Sequence, residues 1–324
     1  MRSGVIHSIM FGRLGNQLFK YAFARALQLK FYPDYHININ FYHYINYSEQ
    51  EKRQGFINSL KDFKISSDVT YNCDNTKKIR TPLQFIFAAL RLFLEKILSS
   101  GMINRLDTKL FQPLFNKAGL YNPLNDASYV RPLPSRSKII ICASNFEAYK
   151  YFDDIRDILL DEFTPIHDVL PHNKALLEEI KKSESVCVTI RRGDFLSEKY
   201  ISELNVCSSE YFNQAMKEIQ KEIPNCKFFI FSDDIEDVKK TMNFPDDAVY
   251  ESGDDPVWEK LRLMYSCKHF IISNSTFSWW AQYLSRNENK IVYAPSPWHW
   301  GSKDYSGIYT PNMRTIKCRC FHGI

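Results

Sequence analysis

The chain has 324 residues, of which 44% are hydrophobic and 24% charged, and carries a formal net charge of +5. That length is more than one hydrophobic core serves, so two domains are expected, and the composition is that of a folded soluble protein. The small positive excess suits an anionic ligand or an anionic membrane surface and is too small for nucleic acid, which takes a concentrated basic stripe.

Residues 1–10 include Arg2, Gly4, His7 and Ser8 and contain no apolar signal-peptide core. Val5–Phe11 is apolar apart from His7 and Ser8 and reads as a strand ending in the turn Gly12–Asn16. From Leu18 to Leu29 the apolar spacing is near three and four, which predicts an amphipathic helix. Residues 70–140 are less regular and read as helical with long connections.

The longest apolar stretch, Pro82–Leu98, is interrupted by Gln84, Arg91, Glu95 and Lys96 and is too short and too charged to span a bilayer. It lies in a Lys- and Arg-rich segment, Lys77–Lys117. Such a helix either packs its apolar face on its own domain or lies on an anionic membrane. A cytoplasmic location is expected, with peripheral contact at the inner membrane face as the open addition. The cysteines agree: Cys142, Cys187 and Cys267 sit in or beside apolar runs, no Cys-x-x-Cys occurs, and Cys318 and Cys320 form a lone Cys-x-Cys. Reduced thiols are expected.

Pro165 and Pro171 mark a boundary over Thr164–His172, dividing the chain into 1–165 and 166–324. In the second half, Ser185–Ile190 reads as a strand ending at Arg191-Arg192-Gly193-Asp194, and Lys227–Phe231 as one ending at Ser232-Asp233-Asp234. Phe270–Ile272 ends at Ser273-Asn274-Ser275-Thr276, and Lys290–Tyr293 is a further strand. Alternating strands and helices predict parallel α/β sheets.

Ligands of such sheets bind beyond the carboxyl ends of the strands, where these polar clusters fall. Arg191 and Arg192 could hold a diphosphate through paired charged hydrogen bonds, or be a surface pair bonded to nearby carboxylates. Asn274, Ser275 and Thr276 precede a helix-like segment whose N–H groups favour phosphate, or supply an ordinary Ser/Thr cap. Ser232, Asp233 and Asp234 could accept hydrogen bonds from a guanine edge or ribose, start a helix, or bind a metal. Gly12, Arg13, Gly15, Asn16 and Gln17 form a strand-to-helix turn without the dinucleotide or P-loop spacing.

Taken in order, these segments resemble the family 11 glycosyltransferases, the bacterial α1,2-fucosyltransferases. The resemblance rests on Phe11-Gly-Arg-Leu-Gly-Asn-Gln-Leu-Phe19 with Tyr21-Ala22, Ile190-Arg-Arg-Gly-Asp-Phe195, Phe229-Ile-Phe-Ser-Asp-Asp234 and Asn274-Ser-Thr-Phe-Ser-Trp-Trp280. Asn145-Phe-Glu-Ala-Tyr-Lys-Tyr-Phe152 is similar to a further family segment. It implies a GT-B-like α/β fold of two facing Rossmann-type domains, with the acceptor on the side of 1–165 and GDP-β-L-fucose held by 166–324. It also implies inversion to an α-fucoside without metal or other cofactor. By motif, Arg191 would stabilise the leaving diphosphate with Arg192, Ser232 and Asp233 would recognise the nucleotide, and Asn274, Ser275 and Thr276 would contact the phosphates. The Gly12–Gln17 turn would line the cleft. Asp194 is the first candidate base, with a structural bond to Arg191 or Arg192 as its alternative. The acceptor class implied is a galactoside in a surface polysaccharide, an oligosaccharide or a lipid-linked glycan, and no obligate protein partner is inferred. One position departs: the family's Arg motif reads His-x-Arg-Arg-x-Asp, and here the His position is Thr189. That leaves another linkage or GDP-sugar, or a non-catalytic carbohydrate-binding protein, as competing readings.

Overall fold

The computed structural model describes residues 4–72, 82–97, 102, 105–301 and 303–319. The chain forms two compact units, Met1–Glu162 with Ser306–Ile308, and Phe163–Tyr305 with Tyr309–Ile324. Each is built on its own parallel sheet.

In the first unit the strands are β1 (Val5–Ile9), β2 (His36–Asn40), β3 (Val69–Asn72), β4 (Leu120–Tyr121) and β5 (Ile139–Cys142), in the order β3-β2-β1-β5-β4. All pairings are parallel. Helix α1 (Leu14–Phe31) follows β1 and starts four residues before the predicted Leu18. Gly12 at φ 81° makes the turn, a conformation that side chains disfavour, and extended Arg13 caps the helix. Thirteen of the eighteen α1 residues are buried, so the helix is a core element. Phe23 stacks on Phe146 at 3.7 Å and meets Tyr121 and Tyr151 edge-on.

Helix α2 (Glu49–Arg53) lies between β2 and β3; the irregular stretch holds α3 (Pro82–Ile97), α4 (Gln112–Lys117) and β4, with β3 and β5 at its ends, and α5 (Arg156–Glu162) closes the unit. Helix α3 corrects the expectation that its apolar face packs on its own domain. Among its described side chains, Gln84 and Leu94 are docked: Gln84 Nε2 donates to Ala118 O at 3.0 Å and Ile139 O at 3.2 Å, and Leu94 packs against the Phe111/Phe115 cluster. Phe85, Ile86, Leu92 and Phe93 face solvent.

The second unit carries β6 (Glu184–Ile190), β7 (Cys226–Ser232), β8 (Val249–Tyr250), β9 (His269–Ile271), β10 (Val292–Ser296) and β11 (Met313–Lys317). Its order, β11-β10-β9-β6-β7-β8, is the Rossmann order 3-2-1-4-5-6 read from β8. Its helices are α6 (Lys174–Lys182), α7 (Ile201–Leu204), α8 (Ser209–Glu222), α9 (Ile235–Thr241), α10 (Val257–Tyr265) and α11 (Thr276–Leu284). Val186 and Val188 of β6 and Phe228 and Ile230 of β7 pack with Tyr211, Phe212 and Ile219 of α8. Trp279 and Trp280 of α11 are fully buried; Trp280 meets Phe163 edge-on at 5.2 Å. After the boundary the chain is tied down: Leu170 N and Asn173 Nδ2 donate to Glu259 and Asp255.

Cys142, Cys187, Cys207, Cys226, Cys267 and Cys318 are free thiols. Cys73, Cys320 and the rest of the tail lie outside the described residues, as do Lys77, Lys78 and Arg80 of the basic segment. Among the described residues no helix is long and apolar enough to cross a membrane.

Candidate functional site

Strand order in the second unit reverses between β6 and β9, and the crevice beyond the carboxyl ends of two such strands is where this fold takes ligands. Both ends carry the residues singled out in the sequence. Val188 pairs with Ile271, so extending the register sets Arg191 opposite Asn274. Ile190 pairs with Ser232, which sets Arg191 opposite Asp233 on the other side.

Arg191 is gripped from both directions. Its Nη2 donates to Asp194 Oδ1 at 2.6 Å and its Nη1 lies 2.8 Å from Asp233 Oδ2. Its guanidinium also lies 5.4 Å from the Phe195 ring centroid. Arg192 Nε sits 2.7 Å from Asp237 Oδ2, its Nη2 donates to Thr241 Oγ1 at 2.6 Å, and its backbone N–H donates to Asp233 Oδ1 at 2.8 Å. These carboxylates orient the forks, and the two ion pairs of Arg191 use only part of a five-donor guanidinium. Of the two readings of Asp194, the geometry shows the bond to Arg191.

Gly193 is required by space. A Cβ there would lie 2.4 Å from Asp233 Oδ2, the atom that holds Arg191. Gly193→Ala is expected to push Asp233 off Arg191 and lower kcat/KM roughly 10- to 100-fold through misplacement alone. Thermal melting and steady-state kinetics on the same sample check this. Unchanged kinetics would show that the Asp233 contact does not matter.

Ser232 is buried and its Oγ accepts from Asp234 N at 3.1 Å, while Asp234 caps α9 by accepting from Asp237 N at 3.0 Å. The helix-start reading therefore describes Asp234, and both oxygens of Asp233 are engaged by the Arg pair. Among the described residues no set of three His, Cys, Asp or Glu is gathered as metal ligands.

At the end of β9, Asn274 turns its side chain inward: Nδ2 donates to Leu204 O at 2.9 Å and Oδ1 accepts from Cys207 Sγ at 3.5 Å. The Asn274 side chain is thereby committed to the loop that carries Leu204 and Cys207. Ser275 and Thr276 are half-buried, and extended Ser275 makes no side-chain cap bond, so the ordinary cap is not formed. Thr189, at the position that departs from the family pattern, is 3% exposed, and its Oγ1 accepts from Ser273 N at 3.2 Å. It ties the β6 end to the β9 end.

The sequence reading missed His299, three residues past β10. Its ring hydrogen-bonds the Asn274 backbone, and its Nδ1 lies 2.8 Å from Tyr305 Oη. Glu203 Oε1 lies 4.0 Å from the same nitrogen. The strand-end rule applied after Lys290–Tyr293 would have found it. Burial, reinforced by the Lys303 charge, pushes its pKa down to about 4. The folded ring thus stays neutral where the unfolded chain takes up a proton. The stability it contributes is complete above pH 6.5 and is lost as pH falls toward 4. His299→Gln should flatten the fall in melting temperature between pH 6.5 and 5; an unaltered slope would exclude His299 as its source.

In the first unit strand order reverses between β1 and β5. The Gly12 turn lies at that end, with Arg13 stacked 5.6 Å from Phe56 and Asn16 beside Gly12. Gly15 is buried in α1. Gln17 is fully buried: Nε2 donates to Ile57 O at 2.7 Å, Tyr44 Oη at 3.1 Å and Gly12 O at 3.3 Å, and Oε1 accepts from Ser59 N at 3.1 Å. Fully buried and with both polar atoms bonded, the side chain props the turn from behind. Nearby, buried Lys20 donates to Ser144 O at 2.7 Å and lies 3.0 Å from the Phe11 ring centroid. Asp126 accepts from Ser144 Oγ, and at 2.9 Å from Asn145 N. Phe146, which follows Asn145, has φ 56°, a strained conformation for an aromatic residue.

Comparison with known proteins agrees with this architecture. The fucosyltransferase NodZ from Bradyrhizobium superposes with a TM-score of 0.51 at 14% identity, covering 87% of this chain and 93% of that one. That likeness speaks to fold. Two Rossmann-type units of this kind make a GT-B-like α/β fold. The sequence profile of glycosyl transferase family 11 matches residues 5–303, and the chain belongs to that family. An α-1,2-colitosyltransferase of Escherichia coli is 35% identical over 154 residues, which are 46% of this chain and only 52% of that protein. The O-antigen biosynthesis glycosyltransferase WbnK of Escherichia coli is 27% identical over 92% of this chain and 96% of its own.

Proposed function

We propose that this glycosyltransferase moves L-fucose from GDP-β-L-fucose to O2 of a galactoside, with inversion to the α-fucoside. The observation that carries the reading is the placement of Arg191-Arg192 and of the Asn274–Thr276 helix start on adjacent strand ends at the switch point of a Rossmann-order sheet. A NodZ α-1,6-fucosyltransferase crystal soaked with GDP-fucose supplies a precedent for the donor on this fold.

The acceptor oxygen attacks C1 while GDP departs with the bonding pair, and the acceptor proton is released. Positive charge builds on the sugar and negative charge on the diphosphate, so the largest gain comes from donors aimed at the leaving group. Arg191 and Arg192 take that role, together with the backbone N–H groups at the start of α11. Asp194 and Asp233 act as positioning residues that fix the Arg191 fork, and Ser232 and Asp233 lie on the side where the nucleoside is read. No metal is invoked, because guanidinium donors neutralise the diphosphate.

GDP release over a panel of galactose-terminated acceptors, with and without EDTA, tests this. Acceptor-dependent release that survives EDTA, with an α1,2 linkage in the product, supports the whole reading. Loss in EDTA returns Asp233 and Asp234 to metal binding. Tight GDP-fucose binding without turnover on any acceptor favours a carbohydrate-binding protein. One observation favours a second donor: the colitosyl sugar in the name of the 35% identical relative is the 3-deoxy counterpart of fucose. Competition of the GDP-linked forms of the two sugars discriminates, and preference for the deoxy sugar would replace the donor while keeping the mechanism. We further place the reaction in the cytoplasm, on a glycan of the surface-polysaccharide type, in keeping with the free thiols and with the O-antigen assignment of WbnK.

A further inference from the structure

Helix α3 turns a broad apolar face to solvent. At about 100° per residue, Phe85, Ile86, Leu90, Leu92, Phe93 and Ile97 fall within one arc of roughly 160°, and all six are exposed. Phe85 is 65%, Leu92 61% and Phe93 60% exposed. Among the described side chains of the helix, Gln84 and Leu94 are the ones that meet the rest of the unit. A surface helix of a soluble domain turns polar side chains to water, and so large a set of exposed apolar side chains on one element marks an interaction surface. The exposure continues in Met102, Leu110 and Leu114.

Charge identifies the occupant. Residues 77–117 contain eight Lys and Arg against Glu95 and Asp107, a net +6, which exceeds the +5 of the whole chain. The rest of the sequence is therefore slightly negative, and the positive excess falls in the segment that contains this helix. Lys96, Arg105, Lys109 and Lys117 are exposed, whereas Asp107 is buried and accepts from Gln112 Nε2 and Leu124 N. A second copy of this chain would bring the same positive charge to the contact. An anionic bilayer offers both complements, acyl chains for the apolar side chains and phosphates for Lys96, which falls within the same arc in the last turn and whose stem can reach outward, and for Arg105 and Lys109 beyond it. The helix is 16 residues long, about 24 Å, and lies along a membrane surface rather than through it.

We propose that α3 is an interfacial membrane anchor, seated with Phe85, Leu92 and Phe93 in the acyl boundary of an anionic lipid surface and its Lys and Arg residues among the headgroups. The proposal stands apart from the donor and acceptor reading, because it concerns lipid binding and not turnover.

Flotation of the full chain with vesicles of phosphatidylcholine alone, and with about one third phosphatidylglycerol, tests it. Binding is expected at least tenfold stronger on the anionic vesicles and weaker in high salt. The double variant Phe85→Glu/Phe93→Glu should lose at least tenfold of that binding while keeping its melting temperature, since both side chains are in water already. Lys96→Glu/Lys109→Glu should lose the preference for phosphatidylglycerol. Failure of the natural chain to bind anionic vesicles overturns the proposal, as does binding that the Phe variant leaves intact. Sedimentation equilibrium supplies the rival outcome. A dimer that the Phe variant dissociates, with no vesicle binding, assigns the face to a second copy.

Discussion

Arg191→Lys is expected to lower kcat/KM by roughly two to three orders of magnitude, the usual loss when a donor to developing negative charge is removed. The positive charge is kept, so the experiment isolates geometry. Arg191 reaches Asp194 from one terminal nitrogen and Asp233 from the other, at 2.6 and 2.8 Å. That two-sided grip presents a planar fork in one orientation. An ammonium is a point donor on a flexible stem and cannot hold both carboxylates and a phosphate in fixed directions. The side chain is 18% exposed and sits at a strand end, so the fold should tolerate the change. Kinetics with GDP-fucose, alongside a melting curve, separate the two effects. Turnover near that of the natural protein would remove Arg191 from the leaving-group role.

Lys20→Met is expected to cost the first unit about 3 kcal/mol, the range for stranding a buried acceptor and two carboxylates. For a unit of this size that is a fall of roughly 6–12 °C in melting temperature. Lys20 is fully buried, and its ammonium satisfies Ser144 O. Burial drives its pKa well below the ordinary value, while the charges of Asp126 and Glu147 oppose the shift. The folded state therefore releases its proton at lower pH than the unfolded chain. Between the folded pKa and about 10.4 the unfolded state binds more protons, so Lys20 makes stability rise with pH across that window. The Met variant should lose both the stability and that slope. A variant as stable as the natural chain would mean that the Ser144 loop is held by Asp126 alone.

Much of the second sheet was legible because its signals are local. Each of β6, β7 and β9 is a short apolar run that stops at a polar turn, and the strand-end rule then points at Arg191, Asp233 and Ser275 without any tertiary information. Six strands escaped notice: β2 and β5, whose Ile-rich runs did carry a local signal, and four that are short or marginal. β4 and β8 have two residues each, and the edge strands β3 and β11 expose much of their length. Neither length nor periodicity distinguishes them from loop.

What the amino-acid sequence determined by itself is the alternating parallel architecture, the turns at which it can act, and the residue types placed there. Those follow from patterns a few residues long. Only the tertiary structure decided which way each side chain turns and what it meets. Asp233 grips Arg191 from 42 residues away and His299 reaches the backbone of Asn274. Gln17 turns inward to prop the glycine turn. The apolar face of α3 turns outward, although by amphipathy alone it could have been core. A helix's apolar stripe specifies that a face seeks to leave water, and the surrounding fold determines whether protein is there to receive it.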